Sequence, residues 1–283
     1  MFIESLFIYP LKGARGIQLQ QSDVTRRGLA HDRTLMLVDD TGNFVSQRNY
    51  AVLATITSQL DATGIIFSAA SHPDIHVAWS SFTEDKTRLV TVWKSTLAAS
   101  AATAEVDRWF SNVLKAPVHL VFQQPHQKRE TKQARAPGGI VSYADRYPVL
   151  FTNTASLDDL NRRIAERDEN AAHLPMDRFR PNIVLSGLDA WAENIIQSLD
   201  INDMTLKLVK PCTRCGVTTI NQELGVRVGK EPLATLALFR QAADGKGVVF
   251  GEYGYSLETG HVAVGNLISA HGQKNLTFKP VRA

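Results

Sequence analysis

The chain has 283 residues, 44% of them hydrophobic, enough to bury a substantial core as one large or two modest domains. Its 31 Lys and Arg against 28 Asp and Glu leave a net charge of +3, too small to point to nucleic acid, and its two cysteines make no disulfide framework. Glu4 stands where a secretory signal would carry positive charge, and no apolar run approaches the roughly 20 residues of a membrane span, so a cytoplasmic enzyme or binding protein without a membrane partner is expected.

Residues 1–122 read mostly as strands. Phe2 to Tyr9 is apolar and Ile17 to Val24 alternates. Thr34 to Val38 runs through the turn sequence Asp39-Asp40-Thr41-Gly42-Asn43 to Phe44 and Val45, a hairpin pattern. Further strands are predicted at Ala54 to Leu60, Ile65 to Ala69 and Arg88 to Trp93. Thr103 caps a helix whose Val106, Trp109, Phe110, Val113 and Leu114 form one apolar stripe, read as core. Lys12, Arg33 and Arg48 each follow a strand or turn, where a backbone-fixed cation can meet a phosphate through charge-assisted hydrogen bonds.

Residues 123–138 form a polar linker within QQPHQKRETKQARAPGG. Its Lys128, Arg129, Lys132 and Arg135 read as a solvated basic loop, with docking of an acidic redox partner as the second reading. In residues 139–270, Ser142-Tyr143-Ala144-Asp145 precedes a strand from Tyr147 to Thr152. Ser156-Leu157-Asp158-Asp159 has the capping-box spacing ahead of a helix with Leu157, Leu160 and Ile164 on one face. Phe179-Arg180-Pro181-Asn182 enters a strand from Ile183 to Ser186.

Leu206 to Ile220, LKLVKPCTRCGVTTI, holds both cysteines and reads as strand, tight loop, strand, with Cys212 and Cys215 on the loop. A thiolate in such a frame is a metal ligand or a nucleophile, and Arg214 beside it favours the ionised form. A thioredoxin-like redox pair normally opens a helix, against which the Val217-Thr218-Thr219 run argues. Half a zinc site would need His72 and His76, whose HxxxH spacing is interrupted by Pro73. Two buried thiols is the remaining reading. Downstream, Glu231-Pro232 starts a helix to about Gln241, Asp244 to Gly247 turns into a strand from Val248 to Gly251, and His261 to Leu267 is the last strand. Residues 271–283 are a tail. Neither GxGxxG nor P-loop spacing occurs, so a nucleotide fold is not indicated.

The segment PCTRC followed by VTT, with FRPNIVLSG before it and EPLATLALFR and FGEY after it, resembles the MOSC family, the molybdenum-cofactor sulfurase C-terminal domains. The opening YPLKGARGI, then RGLAHDR and SQR, resembles the β-barrel domain that precedes MOSC in the mitochondrial amidoxime-reducing components and their bacterial relatives. The resemblance runs from about Ile3 to Ile268. It implies a β-rich α+β fold, an N-terminal β-barrel domain and a MOSC β-barrel with flanking helices, and a molybdenum cofactor in the cleft between them.

By this resemblance Lys12 and Arg33 hold the phosphate end of the molybdopterin, with Gly13 where relatives often carry Ser. Arg180 and Asn182 serve a phosphate and a pterin edge, although Asn182 also suits local structural bonding at Pro181. Thr213 and Arg214 precede the metal ligand Cys215, a soft thiolate suited to a molybdenum dithiolene. Cys212 becomes an auxiliary thiol, and Asp145 a carboxylate near the metal that relays protons or orients substrate. The implied activity is reduction of N-hydroxylated compounds, with a non-enzymatic cofactor carrier or sulfur-transfer module as the rival reading. The chain offers no cysteines for an intrinsic Fe–S cluster and no PLP domain, so electrons are expected from a separate ferredoxin or flavin reductase.

Overall fold

The computed structural model describes residues 1–275; residues 276–283 of the expected tail lie outside the described residues, while its first residues continue a strand through Gln273. The architecture is α+β and β-rich, with three α-helices among the described residues. An eight-stranded sheet runs in the order Ile17–Leu19, Phe2–Ile8, Ile183–Ser186, Val149–Asn153, Val248–Tyr255, Met204–Arg214, Ile196–Ile201, Ile268–Gln273. Its one parallel pair, Val149–Asn153 with Ile183–Ser186, is joined through helix α2 (Thr154–Arg167), as a parallel crossover requires.

The first strand of the chain therefore lies in the sheet of the second half, with Phe2 opposite Ser186 and Leu6 opposite Ile183. Because the pair is antiparallel, the end of one strand meets the start of the other. This register sets Tyr9 and Lys12 beside Arg180 and Asn182, residues about 170 apart in sequence; the Phe7 N–H donates to the Asn182 carbonyl at 2.8 Å.

One core lies between a four-stranded sheet (Leu35–Val38, His119–Phe122, Ser95–Ala101, Thr87–Val92), a three-stranded sheet (Thr57–Leu60, Gly64–Ser68, Ile75–Ala78) and helix α1 (Ala104–Leu114). The α1 stripe predicted from periodicity is buried there, and the Thr103 hydroxyl accepts from the Val106 N–H as its cap. A second core, including Ile3, Leu6, Phe151, Ile183, Leu199 and Leu206, covers one side of the large sheet. On the other side α2 and α3 (Leu233–Phe239) pack on Phe250 and Phe179, whose rings stack 3.7 Å apart. The central strands are buried on both faces, which is why they read as continuous rather than alternating apolar runs.

Several elements depart from expectation. Met204–Arg214 remains a strand through Pro211 and Cys212 because Val248–Tyr255 pairs along it. The register shifts between Leu208 and Lys210 and between Pro211 and Thr213, and such irregularities let a sheet accept proline. Val217-Thr218-Thr219 belongs to a 3-10 turn, Gly216–Thr219, in which the two threonine hydroxyls donate back to the carbonyls of Cys215 and Gly216; only Ile220–Asn221 is extended. Ser156 lies inside α2 instead of capping it. Asn153 is the cap, and Ser156 Oγ donates to the buried Glu193 carboxylate. Ala51–Thr55 is a 3-10 turn, α3 ends at Phe239, and the expected last strand from His261 to Leu267 is extended only to Ala263, a separate strand Ile268–Gln273 following it. No helix among the described residues is long and apolar enough to cross a membrane.

Candidate functional site

Lys12, Arg33, Arg48, Asp145, Arg180, Asn182, Thr213, Arg214 and Cys215 all line one open cleft of about 830 Å³, counted out to its mouth, together with Cys212. The strand register described above supplies one wall, and the end of Met204–Arg214 supplies the other.

Arg33 and Arg180 flank the ring of Tyr9, their guanidinium carbons 4.5 Å and 4.2 Å from its centre. Both arginines have left-handed backbones, φ 50° and 52°, which cost on the order of 1 kcal/mol each and aim two side chains from turns far apart in sequence at one place. Arg33 donates to Asp32 Oδ2 at 2.6 Å, to Asn182 Oδ1 at 3.2 Å and to the Arg180 carbonyl at 3.1 Å. Asn182 is drawn into structural bonding, accepting also from the Leu150 N–H and donating to the Phe7 carbonyl. Burial pushes the Arg180 guanidinium down to about 10, and the like charge of Arg33 adds to that effect. Cations crowded at low dielectric gain most from a bound anion.

Beside them the Lys12 ammonium donates to the Tyr143 carbonyl at 2.8 Å and to Asp145 Oδ1, over the ring of Phe44. Burial lowers the Lys12 pKa against the attraction of Asp145. Partial desolvation by the cleft opposes ionisation of Asp145 as well, yet the Lys12 charge and hydrogen bond, the Trp93 N–H and the Arg48 charge together hold its carboxyl well below the usual range. Asp145 is thus a carboxylate in this setting, an acceptor rather than a resting acid. The segment that carries it is fixed by Arg129, which donates to the carbonyls of Ser142, Ala144 and Asp145. Arg129 is buried, so the expectation of a wholly solvated basic loop fails at this residue: its fork satisfies carbonyls that the loop would otherwise bury unpaired.

The two thiols differ. Cys212 is buried in the strand and accepts from Arg214 Nη1 at 2.8 Å, whereas Cys215 is half-buried at the strand end, its Sγ 3.5 Å from Arg48 Nη2. Arg214 thus stands beside a thiol as expected, bonding Cys212 and the Phe179 carbonyl, and Arg48 adds a second guanidinium beside the half-buried Cys215. Arg214 Nε is buried with no partner, a donor free for a ligand. A half-buried thiol, an orphaned guanidinium donor and several cations form a donor set that suits a phosphate-bearing sulfur chelate of a soft metal. His72 and His76 stand elsewhere: His72 contacts the Ala70 carbonyl and His76 pairs with Asp61. Among the described residues no group of three or more His, Cys, Asp or Glu is placed to hold a metal ion.

Tyr9, Phe44, Trp93 and the reciprocal amide pair Gln47 and Gln222 were missed from sequence. Tyr9 and Gln47 lie inside the quoted motifs YPLKG and SQR, a signal that could have flagged them; Trp93 reads only as the end of an apolar strand.

Residues 1–117 match the family MOSC N-terminal beta barrel domain, and residues 138–269 match the MOSC domain family. Mitochondrial amidoxime-reducing component 1 of Homo sapiens is 30% identical over 286 residues, covering 96% of this chain and 83% of that protein. Its Mus musculus counterpart is 31% identical over 287 residues, covering 96% and 82%. Mitochondrial amidoxime reducing component 2 of Macaca fascicularis is 29% identical over 247 residues, covering 84% and 72%. With both domain matches in order and a relative at this identity along nearly its whole length, the chain belongs to the MOSC domain family, in the form that carries an N-terminal MOSC β-barrel domain.

Proposed function

We propose that this protein is a molybdenum-cofactor-dependent reductase of N-hydroxylated compounds: amidoximes, hydroxylamines or N-hydroxylated bases. The observation that carries this reading is the gathering of the Cys215 thiol, the Asp145 carboxylate and the cations Lys12, Arg33, Arg180 and Arg214 on one cleft. Relatives named amidoxime-reducing components support the choice of substrate.

In this reading Cys215 is the protein's metal ligand, and the cations with Thr213 hold the phosphate-bearing pterin. Asn182 acts through Arg33, which it braces. When bound, the cofactor supplies a metal centre that stores and releases two electrons. The overall change breaks the N–O bond and consumes two electrons and two protons, giving the reduced nitrogen compound and water. Asp145 accepts hydrogen bonds from the substrate and orients it. Lys12, whose ammonium is weakened by burial and bonded to Asp145, forms with it a pair that can pass a proton along an existing hydrogen bond. Electrons arrive from a separate ferredoxin or flavin reductase.

The test is co-expression with the cofactor pathway, determination of molybdenum per chain, and assay of benzamidoxime reduction with a chemical electron donor. Stoichiometric molybdenum with turnover is expected. Molybdenum without turnover would make the protein a carrier, and a folded protein that takes up no molybdenum would overturn the reading.

A further inference from the structure

Trp93 is a large apolar side chain left 48% exposed, and it stands where the backbone disfavours it. It is the first of the two residues, Trp93 and Lys94, that turn the chain between paired Val92 and Ser95. Its φ of 58° lies in the left-handed region that such hairpins ordinarily give to glycine. Exposure and strain at one residue mark a side chain kept for what it does.

Its contacts all lead to the cleft. Nε1 donates to Asp145 Oδ1 at 3.2 Å, the ring tilts against Phe44 with centres 5.2 Å apart, and the Arg48 guanidinium lies 4.9 Å over it. Arg48 in turn reaches Cys215, with Nη2 3.5 Å from Sγ. Phe44, Arg48, Asp145 and Cys215 line the cleft, so Trp93 backs the part of its mouth that holds the half-buried Cys215 thiol.

We infer that Trp93, with Arg48 laid upon it, is the specificity wall of this site. It selects N-hydroxylated compounds with a flat, π-bonded head, amidoximes and N-hydroxylated bases, over saturated hydroxylamines. This inference rests on the reductase reading above. A flat head can stack on the indole or on the guanidinium plane while its N–O oxygen accepts from Arg48. The amino group of an amidoxime adds donors that the Asp145 carboxylate can accept. A saturated hydroxylamine brings the oxygen without the π face.

The test uses the cofactor-loaded protein with benzamidoxime and cyclohexylhydroxylamine. Trp93→Ala is expected to lower the ratio of their kcat/KM values by about three- to tenfold, mainly through KM for benzamidoxime, the worth of one aromatic pair. Trp93→Phe keeps a ring and loses the N–H to Asp145, and is expected to retain most of the ratio. An unchanged ratio in Trp93→Ala overturns the inference. So does a fall in Trp93→Phe as large as in Trp93→Ala, which would reduce Trp93 to a support for Asp145. A second readout needs no turnover: O-methylbenzamidoxime, flat and lacking the N–OH, should quench the share of tryptophan fluorescence that Trp93→Phe lacks. Absence of that quenching overturns the wall. Quenching in a wild-type protein that reduces no N-hydroxylated compound supports the wall and overturns the reductase reading instead.

Discussion

Cys215 and Cys212 sit three residues apart on one strand end, yet the chain treats them differently. Cys212 faces inward onto Arg214, while Cys215 opens to the cleft where the strand gives way to a 3-10 turn. Cys215→Ser should therefore abolish turnover and leave the urea unfolding midpoint unchanged; retained turnover would remove Cys215 as the metal ligand. Asp145 supplies a prediction in pH. Its folded pKa is depressed, so its pairing contributes stability above the ordinary carboxylate range, and that contribution is lost as pH falls through the folded value. Asp145→Asn should be less stable than wild type at pH 7, by no more than about 1 kcal/mol because the side chain is 42% exposed, and the difference should close in strong acid. Unfolding at pH 7 and at pH 2 measures the trend, with the difference narrowed but not yet closed at pH 2, which still lies above the folded value.

The Val248–Tyr255 strand shows how an element can carry both packing and charge. Gly251, at φ 77°, passes so close to Val149–Asn153 that an added Cβ would lie 2.5 Å from the Phe151 carbonyl oxygen. Next to it the fully buried Glu252 accepts from Asn194 at 2.8 Å and Lys274 at 2.6 Å. Burial pushes its carboxyl up to about 7 against the pull of Lys274. A raised carboxyl contributes stability below the unfolded value near 4.5 and loses it as pH rises through about 7. Glu252→Gln should flatten this slope and be the more stable form at pH 8, by as much as about 3 kcal/mol. Thermal melts from pH 4 to 8 would check it, and parallel curves for the two proteins would show that another group governs the slope.

Across the whole molecule, the cleft joins residues from both ends of the chain: Lys12, Arg33 and Arg48 from the first fifth, Arg180 and Cys215 from the latter half. A ligand held by both halves stabilises the assembled fold by mass action, about 4 kcal/mol at a thousand times its Kd. Protein loaded with cofactor should melt well above protein expressed without it. Lys12→Ala or Arg180→Ala should shrink that gap more than it lowers the empty protein's melting temperature, as read by calorimetry.

What the sequence determined by itself was local: the α1 stripe and its Thr103 cap, the Ile183–Ser186 strand, and the residue types that motifs placed at Lys12, Arg33, Asp145, Arg180 and Cys215. These depend on periodicity, side-chain chemistry and short spacing, all of which lie along the chain. The tertiary structure decided which of them meet. The pairing of Phe2–Ile8 with Ile183–Ser186 puts two arginines on Tyr9, and pairing along Val248–Tyr255 keeps Pro211 and Cys212 in a strand that local propensity would end. Trp93 gave no signal because its exposure and its reach to Asp145 exist only once distant segments have packed. Burial and charge proximity are properties of the folded state, so the ionised Asp145 and the raised Glu252 could be read only there.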